Sequence, residues 1–402
     1  MQTALKVAMT TDTRPRLLVL ASTFPSRRGD GVPAFVLDLA IAEANGFDVT
    51  VLTPQVPGAA RHERIHNVDV VRFRYFPSRW EDLADGAILD NLKARKSRWL
   101  QVLPLMIGQF FAVRKTVRGT KPDAIHAHWV IPQGMAARTA APKIPTLVTT
   151  HGGDIYALNN PIFLAIKRHV LNWSGAVTTV NADMIAKLES WGLPSSKLHM
   201  LPMGVSLTEV AEAGRSIEPE QGRILVVGRL VEKKGFGVLL EALRSHVTSP
   251  AWSLTIVGDG PLREELETAA LGLPVTFTGQ QGREDVLQAM ARTSVLALPS
   301  ISAESGDQEG LPVVLLEAAA MGCAIVASNL PGINEALADG VNGLLVEQGD
   351  PAALGAAIDF LLNNDAERTR LGKAAATRAI DYSIDTIGAG YRKVIAEMMV
   401  MR

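Results

Sequence analysis

The chain has 402 residues, 47% of them hydrophobic and 20% charged, with a formal net charge of −1; a length beyond what one hydrophobic core usually supports implies two domains. Its single cysteine, Cys323, excludes a disulfide framework and fits a reducing compartment, and no apolar run reaches the roughly 18 residues of a membrane span. The N-terminal MQTALKVAMTTDTRPR has no apolar core long enough for a signal peptide. The small net charge hides an asymmetry, since residues 1–205 carry 24 Lys and Arg against 15 Asp and Glu while the remainder carries 16 against 26. Such a division suggests different partners for the two halves. The basic half has no helix-turn-helix, zinc-finger spacing or aromatic-rich RNA-binding strand, so nucleic acid is not the expected partner.

In chain order, short β-branched runs recur, each closed by a Gly, Pro, Ser or His turn and followed by a helical pattern. The first half supplies RLLVLASTFP, FDVTVLTP, VDVVRFRYFP, DAIHAHW, PTLVTTHGGD, GAVTTVN and KLHMLPMGV; the second supplies RILVVGRL, WSLTIVGDG, VTFTGQ, SVLALPS, CAIVASN and GLLVEQ. Strands alternating with helices predict βαβ units and parallel sheets. Their continuous apolar character predicts strands covered on both faces. Between the two series, SLTEVAEAGRSIEPEQ (206–221) is polar and without periodicity, and is expected to be a linker. The fold class is therefore α/β, with two doubly wound domains at 1–205 and 206–382 facing each other across a cleft. In such sheets ligands bind beyond the carboxyl ends of the strands, so motifs at strand ends carry the functional reading.

In the first half, His126 and His128 share one face of the strand AIHAHW. A zinc site would need a third ligand, and the nearest histidine, His151, belongs to another strand; His128 is placed near the acceptor side of the cleft. TLVTTHGGD sets His151 and Asp154 just past a strand end, beside two glycines that allow close approach of a ligand. In the second half, GRLVEKKG follows a buried strand and opens a helix. Backbone N–H groups, a helix dipole and the cations Arg229 and Lys234 would together complete a diphosphate site, the alternative being a solvated loop, which is the expectation for Lys233. VGDGPLREELE lacks the third glycine of the dinucleotide fingerprint and reads as a tight turn.

The densest signal is LPSISAESGDQEGLPVVLLEAAAMG. From Leu311 to Met321 the only polar side chain is Glu317, so a helix there has no face for water and is buried. A buried carboxylate is costly unless a partner satisfies it. Pro312 fits a first helical turn, which leaves Glu309 in the loop at the helix mouth and Glu317 inside the helix. Carboxylates so placed can accept hydrogen bonds from sugar hydroxyls. Glu304 and Asp307 read as a solvated acidic loop, and with no Asp-x-Asp in the chain no metal is expected.

Together these pieces resemble the family 4 retaining glycosyltransferases over nearly the whole chain. EGLPVVLLE matches the E-x7-E motif through Glu309 and Glu317, and GRLVEKKG matches G-R-L-x-x-x-K-G. HGGD supplies the strand-end histidine, and STFPSRRGDGVPAFVLDLA resembles the first-strand loop, with Gly29-Asp30-Gly31 where a paired glycine is usual. The resemblance implies the GT-B fold: an acceptor domain, a second domain holding a nucleotide-diphosphate sugar, and a last helix (about 383–402) returned to the first domain. It implies that Arg229 and Lys234 bind the diphosphate and stabilise it as it leaves, that Glu309 contacts the sugar, and that Glu317 accepts from the ribose hydroxyls. His151 would touch the sugar or its phosphate, Gly31, Gly310 and Leu311 would complete the donor site, and His128 and Asp154 would lie on the acceptor side. Anomeric configuration would be retained, with no metal or other cofactor. HAHWVIPQG and EGLPVVLLE lean toward bacterial surface polysaccharide or glycolipid assembly, in the cytoplasm or on the inner face of the cytoplasmic membrane. A nucleotide-sugar binder without turnover, with Glu317 as a structural hydrogen-bond hub, stays open. A nicotinamide oxidoreductase would share the sheets but lacks its fingerprint here.

One further segment stands out. Between Asn91 and Pro122 there are eight Lys and Arg and no acidic residue, around WLQVLPLMIGQFFAV, 15 mostly apolar residues. That run is too short to span a bilayer and is expected to be interrupted at Pro104. It suits either an anchor on an anionic membrane surface, over about residues 91–121, or a core helix with a solvated basic border.

Overall fold

The computed structural model describes residues 14–26, 32, 34–86, 88–304 and 306–400. Its first sheet contains β1 (Arg16–Leu20), β2 (Asp48–Pro54), β3 (His62–Ile65), β4 (Val68–Phe73), β5 (Ala124–His128), β6 (Thr146–Thr149), β7 (Ala176–Thr179) and β8 (Leu198–Met200), in the order β3-β4-β2-β1-β5-β6-β7-β8. Every pairing is parallel except β3 with β4. Leu17 to Leu20 of β1 are buried to within 1% of full enclosure, which is what a continuous apolar run covered on both faces requires. Strand β3, HERI, has no such run; it is a polar edge strand and escaped the sequence pattern.

The second sheet contains β9 (Arg223–Val227), β10 (Ser253–Val257), β11 (Val275–Gly279), β12 (Val295–Leu298), β13 (Ala324–Ser328) and β14 (Leu344–Val346), all parallel, in the order β11-β10-β9-β12-β13-β14. The order reverses direction between β1 and β5 in the first sheet and between β9 and β12 in the second. Loops after those strands open into the crevice where doubly wound folds take their ligands. GRLVEKKG follows β9 and the Glu309 loop follows β12.

The chain crosses between the sheets twice, and the two crossings run side by side: Val205 N–H donates to Tyr382 O and Ile384 N–H donates to Val205 O, both at 2.9 Å. Just after the first crossing, the expected linker holds a helix, Leu207–Ala213, whose start is fixed by Ser206 Oγ accepting from Glu209 N–H at 3.3 Å. Val210 anchors it, 2% exposed. Ser-x-x-Glu is a capping signal, which the polar composition of the stretch concealed. After the second crossing, helix Ile384–Val400 lies on the first sheet, with Tyr391 Oη donating to Leu201 O at 2.7 Å and Arg392 donating to Ala42 O at 2.6 Å.

Pro104 does not interrupt a helix. It occupies the first turn of helix Val102–Thr120, where a missing N–H costs nothing; the break falls earlier, in the 3₁₀ turn Lys96–Gln101. Pro312, expected in a first helical turn, instead lies just before its helix, as the extended N-cap residue of Val313–Met321.

Candidate active site in the interdomain cleft

Two loops of the second domain are bound to each other. Beyond β9, a 3₁₀ turn over Glu232–Lys234 ends at Gly235, whose φ is +65°. A Cβ there would lie 1.8 Å from Pro299 O, so only glycine fits. Ile301 N–H donates to Lys233 O at 2.8 Å, Glu304 N–H donates to Glu232 Oε1 at 2.9 Å, and Lys233 Nζ meets Asp307 at 3.1 Å. Lys233 and Asp307, both expected to be solvated, instead form a pair that fastens the loops.

This frame sets Lys234 Nζ 3.1 Å from Glu309 Oε1. Arg229 is half-buried at the start of the same loop, and the Lys234 stem lies over Gly228, close enough that a Cβ there would touch its Cε at 3.3 Å. Glu309 is buried. Burial would raise its pKa, but the charges of Lys234 and Lys233 outweigh that effect and lower it. The result is an ionised carboxylate fixed beside a cation at the helix mouth.

The first domain closes over this group. Gly310 abuts the His151 backbone: a Cβ at Gly310 would lie 2.8 Å from His151 O, and one at Gly332 would overlap Gly310 O. Asn181 Nδ2 donates to Gly310 O at 3.0 Å, and Ala182 N–H donates to Glu335 Oε1 at 2.7 Å. The His151 backbone is thus brought against Gly310, the residue after Glu309, while the buried Leu311 leads into the helix. Burial lowers the His151 pKa to about 3, so the imidazole is neutral at ordinary pH.

Two first-domain assignments change. His128 has no exposed surface; its Nδ1 lies 3.1 Å from His151 Nε2, and it stands behind His151, out of reach of an acceptor. Asp154 spends its two oxygens on backbone, accepting from His151 N–H at 2.9 Å and Val130 N–H at 3.2 Å, and so shapes the loop that carries His151. His126 is also internal, 2.7 Å from Glu43 Oε1 and 2.6 Å from Thr149 Oγ1. Gly31 lies outside the described residues.

Glu317 belongs to a second group. Its Oε1 is 3.5 Å from Arg283 Nε, and Arg283 Nη1 also meets Asp38 Oδ2 at 2.5 Å and Glu209 Oε2 at 3.3 Å. One guanidinium therefore serves three carboxylates from three helices, including Asp38 of the first domain. Burial, with Asp38 and Glu209 nearby, pushes the Glu317 pKa up to about 7 despite Arg283. Sequence reading missed Arg283. Its one signal was position: it begins helix Arg283–Ala291, where the dipole disfavours a cation unless carboxylates surround it.

Two Rossmann-like sheets with a cleft at both switch points, and a Lys–Glu pair at a helix mouth beside the loop that carries a neutral histidine, are the architecture of a GT-B glycosyltransferase. The chain belongs to the glycosyltransferase family: residues 209–378 match Glycosyl transferases group 1 and residues 31–204 match the Glycosyl transferase 4-like domain. It is 31% identical over 381 residues to the GDP-mannose-dependent alpha-(1-6)-phosphatidylinositol monomannoside mannosyltransferase of Mycolicibacterium smegmatis, covering 91% of this chain and 94% of that one. Amylovoran biosynthesis glycosyltransferase AmsK of Erwinia amylovora is 35% identical over 186 residues, and that match spans 45% of this chain and 46% of the relative. Among solved structures, sucrose-phosphate synthase from Thermosynechococcus elongatus superimposes with a TM-score of 0.79 at 20% identity, covering 97% of this chain and 100% of that one. Anabaena HepE in complex with UDP and glucose gives 0.69 at 17% identity, with 95% and 100% covered.

Proposed function

We propose that the protein transfers a hexosyl group from a nucleotide-diphosphate sugar to a glycan or lipid-linked acceptor, with retention of anomeric configuration and without a metal. The reading places it in bacterial surface polysaccharide or glycolipid assembly, at the cytoplasmic face of the membrane, with the acceptor on the first domain and the donor on the second. The observation that carries it is the Lys234–Glu309 pair, a half-buried cation and a buried carboxylate 3.1 Å apart at a helix mouth. Arg229 and Lys234 neutralise the diphosphate, supplying the charge that a metal provides elsewhere. Glu309 accepts from sugar hydroxyls, His151 contacts the sugar from the first domain, Glu317 accepts from the ribose hydroxyls, and backbone N–H groups at Gly31, Gly310 and Leu311 complete the donor contacts.

In the transfer step, the bond from the anomeric carbon to the diphosphate oxygen breaks. A bond to the acceptor oxygen forms on the same face, the acceptor proton passes to the leaving diphosphate, and nucleoside diphosphate is released. Charge builds on the leaving oxygens, so fixed cations supply the main stabilisation. The named relatives lend support: one is a GDP-mannose-dependent mannosyltransferase acting on a phosphatidylinositol mannoside, and HepE was solved with UDP and glucose.

A thermal-shift screen over nucleotide sugars tests the donor, since a ligand at 100 times its dissociation constant adds about 2.7 kcal/mol of stability. Incubation of the stabilising donor with lipid extract, followed by proton NMR of the product's anomeric coupling, tests transfer and retention. Chelator should leave the rate unchanged. A donor that stabilises the protein but is never transferred would identify a binder without turnover.

A further inference from the structure

The segment 91–121 presents a surface to solvent that the fold leaves uncovered. Trp99, Leu100, Leu103, Ile107 and Phe111 are between 48% and 73% exposed. Within helix Val102–Thr120, Leu105, Gln109 and Val113 face the protein. At 3.6 residues per turn, Leu103, Ile107 and Phe111 share one arc of about 80° on the opposite side, and Arg114 and Arg118 fall inside the same arc. A large apolar ridge continued by arginines on one line is unusual for a helix whose other face is already packed. Trp80, 53% exposed with the Arg79 guanidinium 3.9 Å above its ring, stands on a neighbouring turn tied to this segment by Asp82 and Leu83 N–H groups donating to Gln101 Oε1.

We infer that this ridge is a docking surface for an anionic lipid leaflet, seated with its apolar residues at the acyl boundary and its cations among the headgroups. Charge complementarity selects that occupant over a second copy of the chain. Lys96, Arg114, Lys115, Arg118 and Lys121 are exposed, and no acidic residue interrupts them between Asn91 and Pro122. Two cations drop out of the count: Arg98 is held by Asp82 at 2.8 Å and by Asn91, and Arg95 lies 3.8 Å from the same Asp82. Among the described residues no helix is long and apolar enough to cross a membrane, so contact here is interfacial.

Topology gives the docking a direction. The helix leads into β5, to which it runs antiparallel as crossover helices do, so its Trp99–Leu103 end lies at the carboxyl edge of the sheet, where the cleft opens. The cleft mouth is thereby held at the leaflet, where a lipid-linked acceptor presents its sugar. That purpose rests on the proposed acceptor; the surface itself does not.

The test is flotation of the full chain with vesicles of phosphatidylcholine alone or with 30 mol%, roughly, of phosphatidylglycerol, an anionic content chosen to give a surface field. Binding is expected only with the anionic vesicles and should fall with salt. Arg114→Gln with Lys115→Gln and Arg118→Gln should weaken it by about fivefold per cation removed, and Leu103→Asn with Phe111→Asn by about tenfold or more. All these positions are exposed, and nucleoside-diphosphate stabilisation in the same samples should be unchanged. No binding to anionic vesicles, equal binding to neutral ones, or unaltered binding by both variants overturns the inference. So does a dimer in solution that the Leu103→Asn, Phe111→Asn variant dissolves. A chain that floats but responds to no nucleotide sugar sinks the proposed function alone; one that binds donor but ignores lipid sinks the docking alone.

Discussion

Glu309 and Glu317 stand at the mouth and in the body of one helical segment, yet their charges are set in opposite directions. Glu309 is buried against Lys234, with Lys233 close by, and its pKa lies below the ordinary carboxylate value. Glu317 shares its one close cation among the described residues, Arg283, with Asp38 and Glu209, and its pKa rises to about 7. Both are close to enclosed, with side chains 10% and 13% exposed, so burial does not separate them. What does is the local count of charges. Two lysines around one carboxylate make a permanently ionised site, whereas one arginine among three carboxylates makes a site that responds to pH and to ligand.

The largest effects should come from breaking the permanently charged side. Lys234→Ala and Glu309→Gln should each reduce kcat/KM for the identified donor by about 100-fold or more, the usual cost of losing one preorganised electrostatic contact. Thermal melting of both variants should show a folded protein, because each pair member lies at the cleft rather than in a sheet core. Parent rates in both would remove the pair from the reaction.

The responsive side should break more gently and with a pH signature. Without Arg283, the charges left near Glu317 among the described residues are those of Asp38 and Glu209, so it takes up a proton at neutral pH, losing half of its accepting capacity. Arg283→Met should therefore weaken nucleoside-diphosphate binding by about tenfold at pH 7, an effect of the size of one hydrogen bond to a charged group, and recover part of it at pH 9. A deficit that calorimetric titration finds equal at both pH values would assign Arg283 a purely structural role.

Stability should move the other way. The folded pKa of Glu317, about 7, lies above the 4.5 of an unperturbed glutamate, so the folded chain binds this proton more tightly than the unfolded one. Its contribution is fully present below about pH 4.5 and is lost as pH rises through about 7. Glu317→Gln keeps the neutral form at every pH. The unliganded variant should therefore melt above the parent at pH 8, by the equivalent of about 1 to 3 kcal/mol, and near the parent at pH 5, while binding nucleotide less well at both. A carboxylate kept at a cost to the free protein is what a ligand-binding role predicts.

The contrast also marks what the sequence disclosed. Buried parallel strands announce themselves as apolar runs, so both sheets were legible, and polar HERI, at a sheet edge, was not. Glu309 and Lys234 lie on loops whose place was readable from the strands before them. Arg283 acquires its meaning only from residues 38, 209 and 317, which topology brings together and no local pattern connects. His128 was misplaced for a related reason: in a strand covered on both faces, neither face is a cleft, and only the residue beyond the strand end, His151, emerges.

The smallest predicted effect is the sharpest test of charge counting. Asp38 takes the shortest contact of Arg283, at 2.5 Å against 3.5 Å for Glu317, and its own charge raises the Glu317 pKa. Asp38→Asn removes a competitor for the guanidinium and a like charge at once, so Glu317 should ionise at lower pH. Nucleoside-diphosphate affinity at pH 6 should then improve by about twofold to fivefold, the range of a single weakly shielded ion pair, and be unchanged at pH 8, where Glu317 is ionised in either protein. The same substitution removes a bond between the domains, so the unliganded chain should melt slightly lower. If titration at pH 6 instead shows weaker binding, Asp38 acts by holding the first domain against the donor side, and the interdomain tie outweighs the competition for Arg283.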